Sequence, residues 1–152
     1  MRLVNELIYR ETIAGPWGPT AGSPLGARMC WSVTAAELRG PRIKAHLAMP
    51  GADWIRLGPD GCRRQDQRLT FETADGAIVL LSYDNALIRE TDAFLDALAC
   101  GGQTAVDDQY MRMVAQFDTG DLRYVWLTQS LFIGEGRVAG DHEIEYTIYR
   151  LD

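Results

Sequence analysis

Apolar and polar residues alternate with period two through most of this chain, in runs rich in Val, Ile, Leu, Thr, Tyr, Phe and Trp that are broken by Gly, Pro and Asp. That pattern predicts an all-β meander closing into a sandwich or barrel. Strands are expected over residues 2–13, 27–38, 42–49, 53–57, 64–73, 77–89, 109–118, 126–137 and 142–151. The glycines and prolines between Ala14 and Ala27 predict a loop there, and Pro59-Asp60-Gly61 and Ala74-Asp75-Gly76 predict tight hairpins in which Gly supplies the positive φ. One segment departs from the β rhythm. Thr91 can cap a helix, Asp92 suits its first turn, Phe94, Leu95 and Leu98 share one face, and Gly101-Gly102 ends it, so a short helix is expected near residues 91–100, lying across one end or flank of the sheet.

The alternation defines two faces without saying which looks inward. In one strand Asp66, Arg68, Thr70 and Glu72 oppose Gln67, Leu69, Phe71 and Thr73. In others Arg28, Cys30, Ser32 and Thr34 oppose Met29, Trp31 and Val33, and Tyr110 and Arg112 alternate with Met111 and Met113. Antiparallel sheets commonly turn one polar face to water. The other possibility is a small barrel with a polar lumen that holds a ligand.

Composition narrows the function classes. The 152 residues suit one domain spanning 1–152, 47% of them apolar and 24% charged. The net charge is −6 and the arginines are spread along the chain, so no basic stripe offers itself to nucleic acid. No leader-like start and no long apolar run are visible, so a cytoplasmic protein with no membrane partner is expected. Cys30, Cys62 and Cys100 form no C-x-x-C pair, which fits free thiols in a reducing compartment. His46 and His142 stand at no ligand spacing, so no metal site is expected, and without a phosphate-cradling glycine loop no nucleotide cofactor is expected.

Three blocks carry a resemblance. Gly26-Ala27-Arg28 leads through Val33-Thr34 to Gly40-Pro41-Arg42. Pro50-Gly51-Ala52-Asp53-Trp54 is followed by Pro59-Asp60-Gly61, Asp66-Gln67-Arg68-Leu69-Thr70-Phe71-Glu72-Thr73 and Asp75-Gly76-Ala77. Tyr110-Met111-Arg112, Phe117-Asp118-Thr119-Gly120-Asp121 and Tyr124-Val125-Trp126-Leu127 complete the set. Together these resemble the DUF3237 (UPF0311) family of small β-barrel proteins. The resemblance implies a single antiparallel barrel, related in shape to calycin and allene-oxide-cyclase barrels, with a cavity open at one end. It implies no activity. Ala35-Ala36 stand where a Gly-Gly pair is usual, and Thr128 replaces the usual Asn after Trp-Leu, which alters hydrogen bonding in any shared pocket.

The candidate residues each have a structural alternative. Asp53, beside Trp54, could be desolvated and move a proton, or it could cap a turn. Arg68 inside a barrel could hold a carboxylate or an enolate oxygen, whereas an internal pair with Asp66 would be structural. If Arg28 and Arg112 join that face, the lumen is cationic within an acidic protein. Trp54, Tyr110 and Trp126 are candidate pocket walls, with Tyr83 a phenol donor and Thr128 the altered family position. The expectation is a cofactor-independent isomerase, cyclase or lyase that binds a small apolar carbonyl or carboxylate compound. In it Asp53 or Asp66 moves the proton and Arg68 with Arg112 holds the charge. The second reading is a carrier barrel, and self-assembly is open in both.

Overall fold

The computed structural model describes all 152 residues, Met1–Asp152. Nine strands and one helix follow as β1 (Leu3–Trp17), β2 (Ala27–Gly40), β3 (Ile43–Leu47), β4 (Gly51–Leu57), β5 (Cys62–Thr73), β6 (Ile78–Arg89), α1 (Asp92–Cys100), β7 (Tyr110–Asp118), β8 (Leu131–Gly140) and β9 (Glu143–Leu151). All pairings are antiparallel. Strands β5 to β9 form a meander, and β1 pairs with both β9 and β2. The short strands β3 and β4 lie one after the other between β2 and β5. They share one position in the ring, so the sheet closes as an eight-stranded barrel without a free edge.

Closure sends every second side chain into the lumen. Leu7, Tyr9, Glu11 and Ile13 of β1, Gln65, Gln67, Leu69 and Phe71 of β5, Leu81 and Tyr83 of β6, and Ile144, Tyr146 and Ile148 of β9 are all buried. Their outward neighbours on β5, Arg64, Asp66 and Arg68, meet water to differing degrees. The lumen is graded. Toward the Ile78 end of β6 it is apolar, filled by Phe71, Phe117 and Phe132 and plugged by a 3-10 turn at Val125–Leu127 whose Leu127 is buried. Toward the Arg89 end it is polar and covered by α1.

The helix forms as its residues dictate. The Thr91 hydroxyl accepts the Phe94 N–H at 3.2 Å, and Gly101 ends the helix at φ 73°. Phe94 and Ala97 are buried beneath it. The two expected hairpin glycines, Gly61 and Gly76, adopt φ 74° and 88°. Two expectations fail. Residues 14–17 do not loop out but extend β1, because a register shift between Ala14 and Trp17 and a positive φ at Gly15 absorb the irregular backbone while Trp17 still pairs with Cys30. Residues 126–130 are not strand, because their apolar side chains serve as the plug.

Strand β8 makes room for the aromatic lumen with two inward glycines. Gly136 stands opposite Tyr146, and a Cβ there would lie 2.6 Å from the Tyr146 ring and 2.8 Å from Met111 Sδ. A Gly136→Val variant is therefore expected to lose about 1–3 kcal/mol in urea unfolding through overpacking. A Val at the outward position 135 should cost much less.

Candidate active site

The polar end of the lumen holds two matched relays. In the first, the Tyr146 hydroxyl donates to Gln65 Oε1 at 3.0 Å, and the Gln65 amide donates to Asp53 Oδ2. In the second, Tyr83 donates to Gln67 Oε1, and the Gln67 amide donates to Glu11 Oε2 at 2.6 Å and to the Tyr9 oxygen at 3.0 Å. Tyr9 in turn donates to Glu11. The tyrosines set the direction. Burial first, then neighbouring acidic groups, pushes the Tyr9, Tyr83 and Tyr146 phenols well above their ordinary range, so each keeps its proton. A phenol that must donate holds a glutamine carbonyl toward itself and turns the amide N–H toward the carboxyl. The rings also brace one another, Tyr9 stacking on Tyr146 at 6.1 Å and 13°.

The two carboxyls end up in different environments. Asp53 is 3% exposed. Burial first, then the nearby Glu11 charge, pushes it well above the carboxylate range, outweighing the Gln65 hydrogen bond and the attraction of Arg63. Burial also raises Glu11, but hydrogen bonds from Tyr9 and Gln67 oppose that rise. Of the two, Asp53 is thus the carboxyl more strongly pushed toward its protonated form, and Glu11 the one whose anion has hydrogen-bond donors. Asp53 Oδ1 has no hydrogen-bond partner. Leaving a buried polar atom unpaired costs about 1–3 kcal/mol, so such atoms are rare in folded proteins.

Glu11 and Asp53 line one small cavity with Gln65, Arg63, Trp31, Ile13, Ile144 and Met111, roofed by Phe94 and Leu98 of α1. Its volume is 20 Å³, little more than one water needs. A space of that size does not hold an organic ligand, and α1 is the element that covers it. No cluster of three or more His, Cys, Asp or Glu side chains adds metal-ligand geometry.

Of the residues expected from sequence, the structure brings Asp53 and Tyr83 into the lumen. It does not gather the arginines there. Arg68 is 84% exposed on the outer face, in a 3.9 Å pair with Asp66, so neither the cationic lumen nor the internal ion pair forms. Trp54, 60% exposed, and Arg28 share that outer face with them. The physical reason is desolvation: burying three guanidinium groups among the packed lumen side chains costs far more than leaving them on the outer face, where Arg68 and Arg112 pair with Asp66 and Glu135. Tyr110 and Arg112 line an outer groove over β6, β7 and β8, where Arg112 pairs with Glu135 at 3.5 Å and Tyr149 donates to Glu135 at 2.6 Å. Trp126 sits at the plugged end under the Arg42 guanidinium, 3.5 Å from its centroid, and Thr128 is exposed beside it. Tyr146, whose phenol the sequence also offers as a hydrogen-bond donor, lies in the lumen with Asp53 and Tyr83, whereas sequence reading missed Glu11, Gln65, Arg63 and Tyr9. The available signal was polar residues recurring at every second position, Arg63, Gln65 and Gln67, leading into Leu69 and Phe71.

No helix of the chain is long and apolar enough to cross a membrane. The chain is 32% identical over 120 residues to a UPF0311 protein of Rhodopseudomonas palustris (strain TIE-1), covering 78% of this chain and 77% of that one. Among solved structures it is similar to a β-barrel-like protein of Acinetobacter baumannii AYE (TM-score 0.80, 27% identity, 99% of this chain and 96% of that one). It also shares the fold of a protein described as an enzyme from Penicillium herquei (TM-score 0.70, 18% identity, 99% and 94% covered). The family described as "Protein of unknown function (DUF3237)" matches residues 9–151, from the Tyr9 relay partner to the end of β9, and the chain belongs to that family.

Proposed function

We propose that this barrel is a cofactor-independent enzyme of the isomerase, cyclase or lyase kind, acting by proton transfer on a small, largely apolar carbonyl- or carboxylate-bearing molecule. The observation that carries the reading is the unpaired Oδ1 of buried Asp53, a carboxyl that burial pushes well above the carboxylate range, in the same cavity as Glu11, whose own rise is opposed by hydrogen bonds from Tyr9 and Gln67. Asp53 donates its proton, or a hydrogen bond, to an oxygen on which charge develops, and Glu11 accepts a proton from carbon or hydroxyl. An acid and a base whose surroundings differ within one buried site are the minimum for such chemistry. The likeness in fold to a protein described as an enzyme is consistent with this. The carrier reading calls for an apolar pocket with no carboxylate near an arginine, and this cavity contains Glu11, Asp53 and Arg63 together. The free cysteines Cys30, Cys62 and Cys100 fit a cytoplasmic setting.

The proton on Asp53 has a thermodynamic signature. Its folded pKa lies above the unfolded value of 3.8, so its contribution is fully present below that value and is lost as pH rises toward the folded pKa. Asp53→Asn cannot ionise. In urea unfolding at a series of pH values, its stability relative to wild type should climb by about 1.4 kcal/mol per pH unit above pH 4. Surface acids held low, such as Asp121, which its Arg123 hydrogen bonds bring to about 2, cancel in that difference. A difference that stays flat between pH 4 and pH 7 contradicts a protonated Asp53.

Proton transfer itself is read by deuterium exchange. Phenylacetone in D2O, followed by proton NMR, should lose its α-hydrogens faster with the wild-type protein than with buffer. Asp53→Asn and Glu11→Gln should each slow that exchange by about a hundredfold or more. Saturable binding of phenylacetone with no exchange would instead establish the carrier.

A further inference from the structure

Arg63 is the one arginine directed into the lumen cavity. It precedes Gln65 by one pleat repeat on β5, lines the cavity with Asp53, and is only 12% exposed. Burial lowers its pKa and the Asp53 side chain opposes that shift, so the two groups sense one another across the cavity. Its present partners both come from the cover. Its guanidinium pairs with Glu90, in the connection between β6 and the Thr91 cap of α1, and sits 5.7 Å from the ring of Phe94. The remaining neighbour, Met29 Sδ at 3.9 Å from Nη1, is a weak acceptor.

We propose that Arg63 is the anion-recognition residue of this site, that its ligand carries a carboxylate or comparably delocalised anion on a small apolar or aromatic body, and that Glu90 occupies its place while the barrel is closed. The proposal rests on the lumen being a small-molecule site. Moving α1 aside far enough to admit a ligand withdraws Phe94 and displaces Glu90, which is joined to the helix through Thr91. A largely buried guanidinium then loses both partners, a costly state that an incoming carboxylate relieves with two parallel hydrogen bonds. An uncharged molecule of the same shape cannot. The exchange of one carboxylate for another makes opening of the cover depend on the charge of the ligand. Trp31, Phe94 and Leu98, which line the cavity with Arg63, suit an aromatic or aliphatic body.

Phenylacetate and its neutral counterpart phenylacetamide test this by isothermal titration calorimetry on the full chain. Wild type should bind phenylacetate in preference to phenylacetamide. Glu90→Gln removes the internal competitor and should tighten phenylacetate about tenfold, with little effect on phenylacetamide. Arg63→Gln should abolish the preference for the anion. Arg64→Gln, the outward-facing neighbour, should leave it intact. Equal binding of the two probes, a Glu90→Gln protein no tighter than wild type, or unchanged phenylacetate binding by folded Arg63→Gln would each overturn the assignment. If Arg63→Gln does not fold, the Glu90→Gln comparison decides alone. The measurement involves no turnover. Failed proton exchange with intact phenylacetate selectivity rejects the enzyme and keeps Arg63, whereas the reverse outcome rejects Arg63 alone.

Discussion

Ring closure is the constraint from which the rest of this structure follows. With β1 bonded to both β9 and β2, half of every strand faces a lumen whose side chains are buried against one another. Any polar side chain sent there must find its hydrogen bonds among the others. Tyr9, Tyr83 and Tyr146 donate, Gln65 and Gln67 pass the direction on, and Glu11 and Asp53 receive. The network is satisfied except at Asp53 Oδ1 and, beside the helix, Gln109 Oε1. The lumen is thus ordered by its own polarity, and its one unpaired carboxyl oxygen adjoins the cavity.

The grading of the lumen follows from the same requirement. Aromatic rings and Leu127 close one end with apolar contact, and the polar groups at its rim pair locally, Thr73 and Tyr124 both donating to Asp75. At the other end the cover is a single short helix whose underside offers only Phe94, Ala97 and Leu98, so it shields the relays without hydrogen-bonding to them. A cover of that kind is separable from the barrel in a way the strands are not. The ionic contact across the boundary, Arg63 with Glu90, is also the one whose two charges belong to different sides of it.

The period of the chain was legible because side chains in a strand must alternate, and nearly every strand lies close to its expected position. The helix was equally legible, since Thr91, the Phe94 face and Gly101 act within one local segment. The site was legible only in part. Strand β5 is polar on both faces at its start, Arg63, Gln65 and Gln67 on one and Arg64, Asp66 and Arg68 on the other, so hydrophobicity does not distinguish them. Distant partners do: Gln67 meets Tyr9 and Glu11, 58 and 56 residues away, and Gln65 meets Tyr146, 81 residues away.

By itself, the amino-acid sequence determined the strand period, the hairpin glycines, the helix with its caps and the family, because each depends on residues close in the chain or on an ordered motif. Tertiary structure decided which face became the lumen, that Arg28, Arg68 and Arg112 stay on the outer face, that the run at Val125–Leu127 plugs the barrel, and that burial pushes the Asp53 carboxyl up. Those outcomes depend on desolvation and on hydrogen-bond partners, and both exist only once strands far apart in sequence have closed the ring.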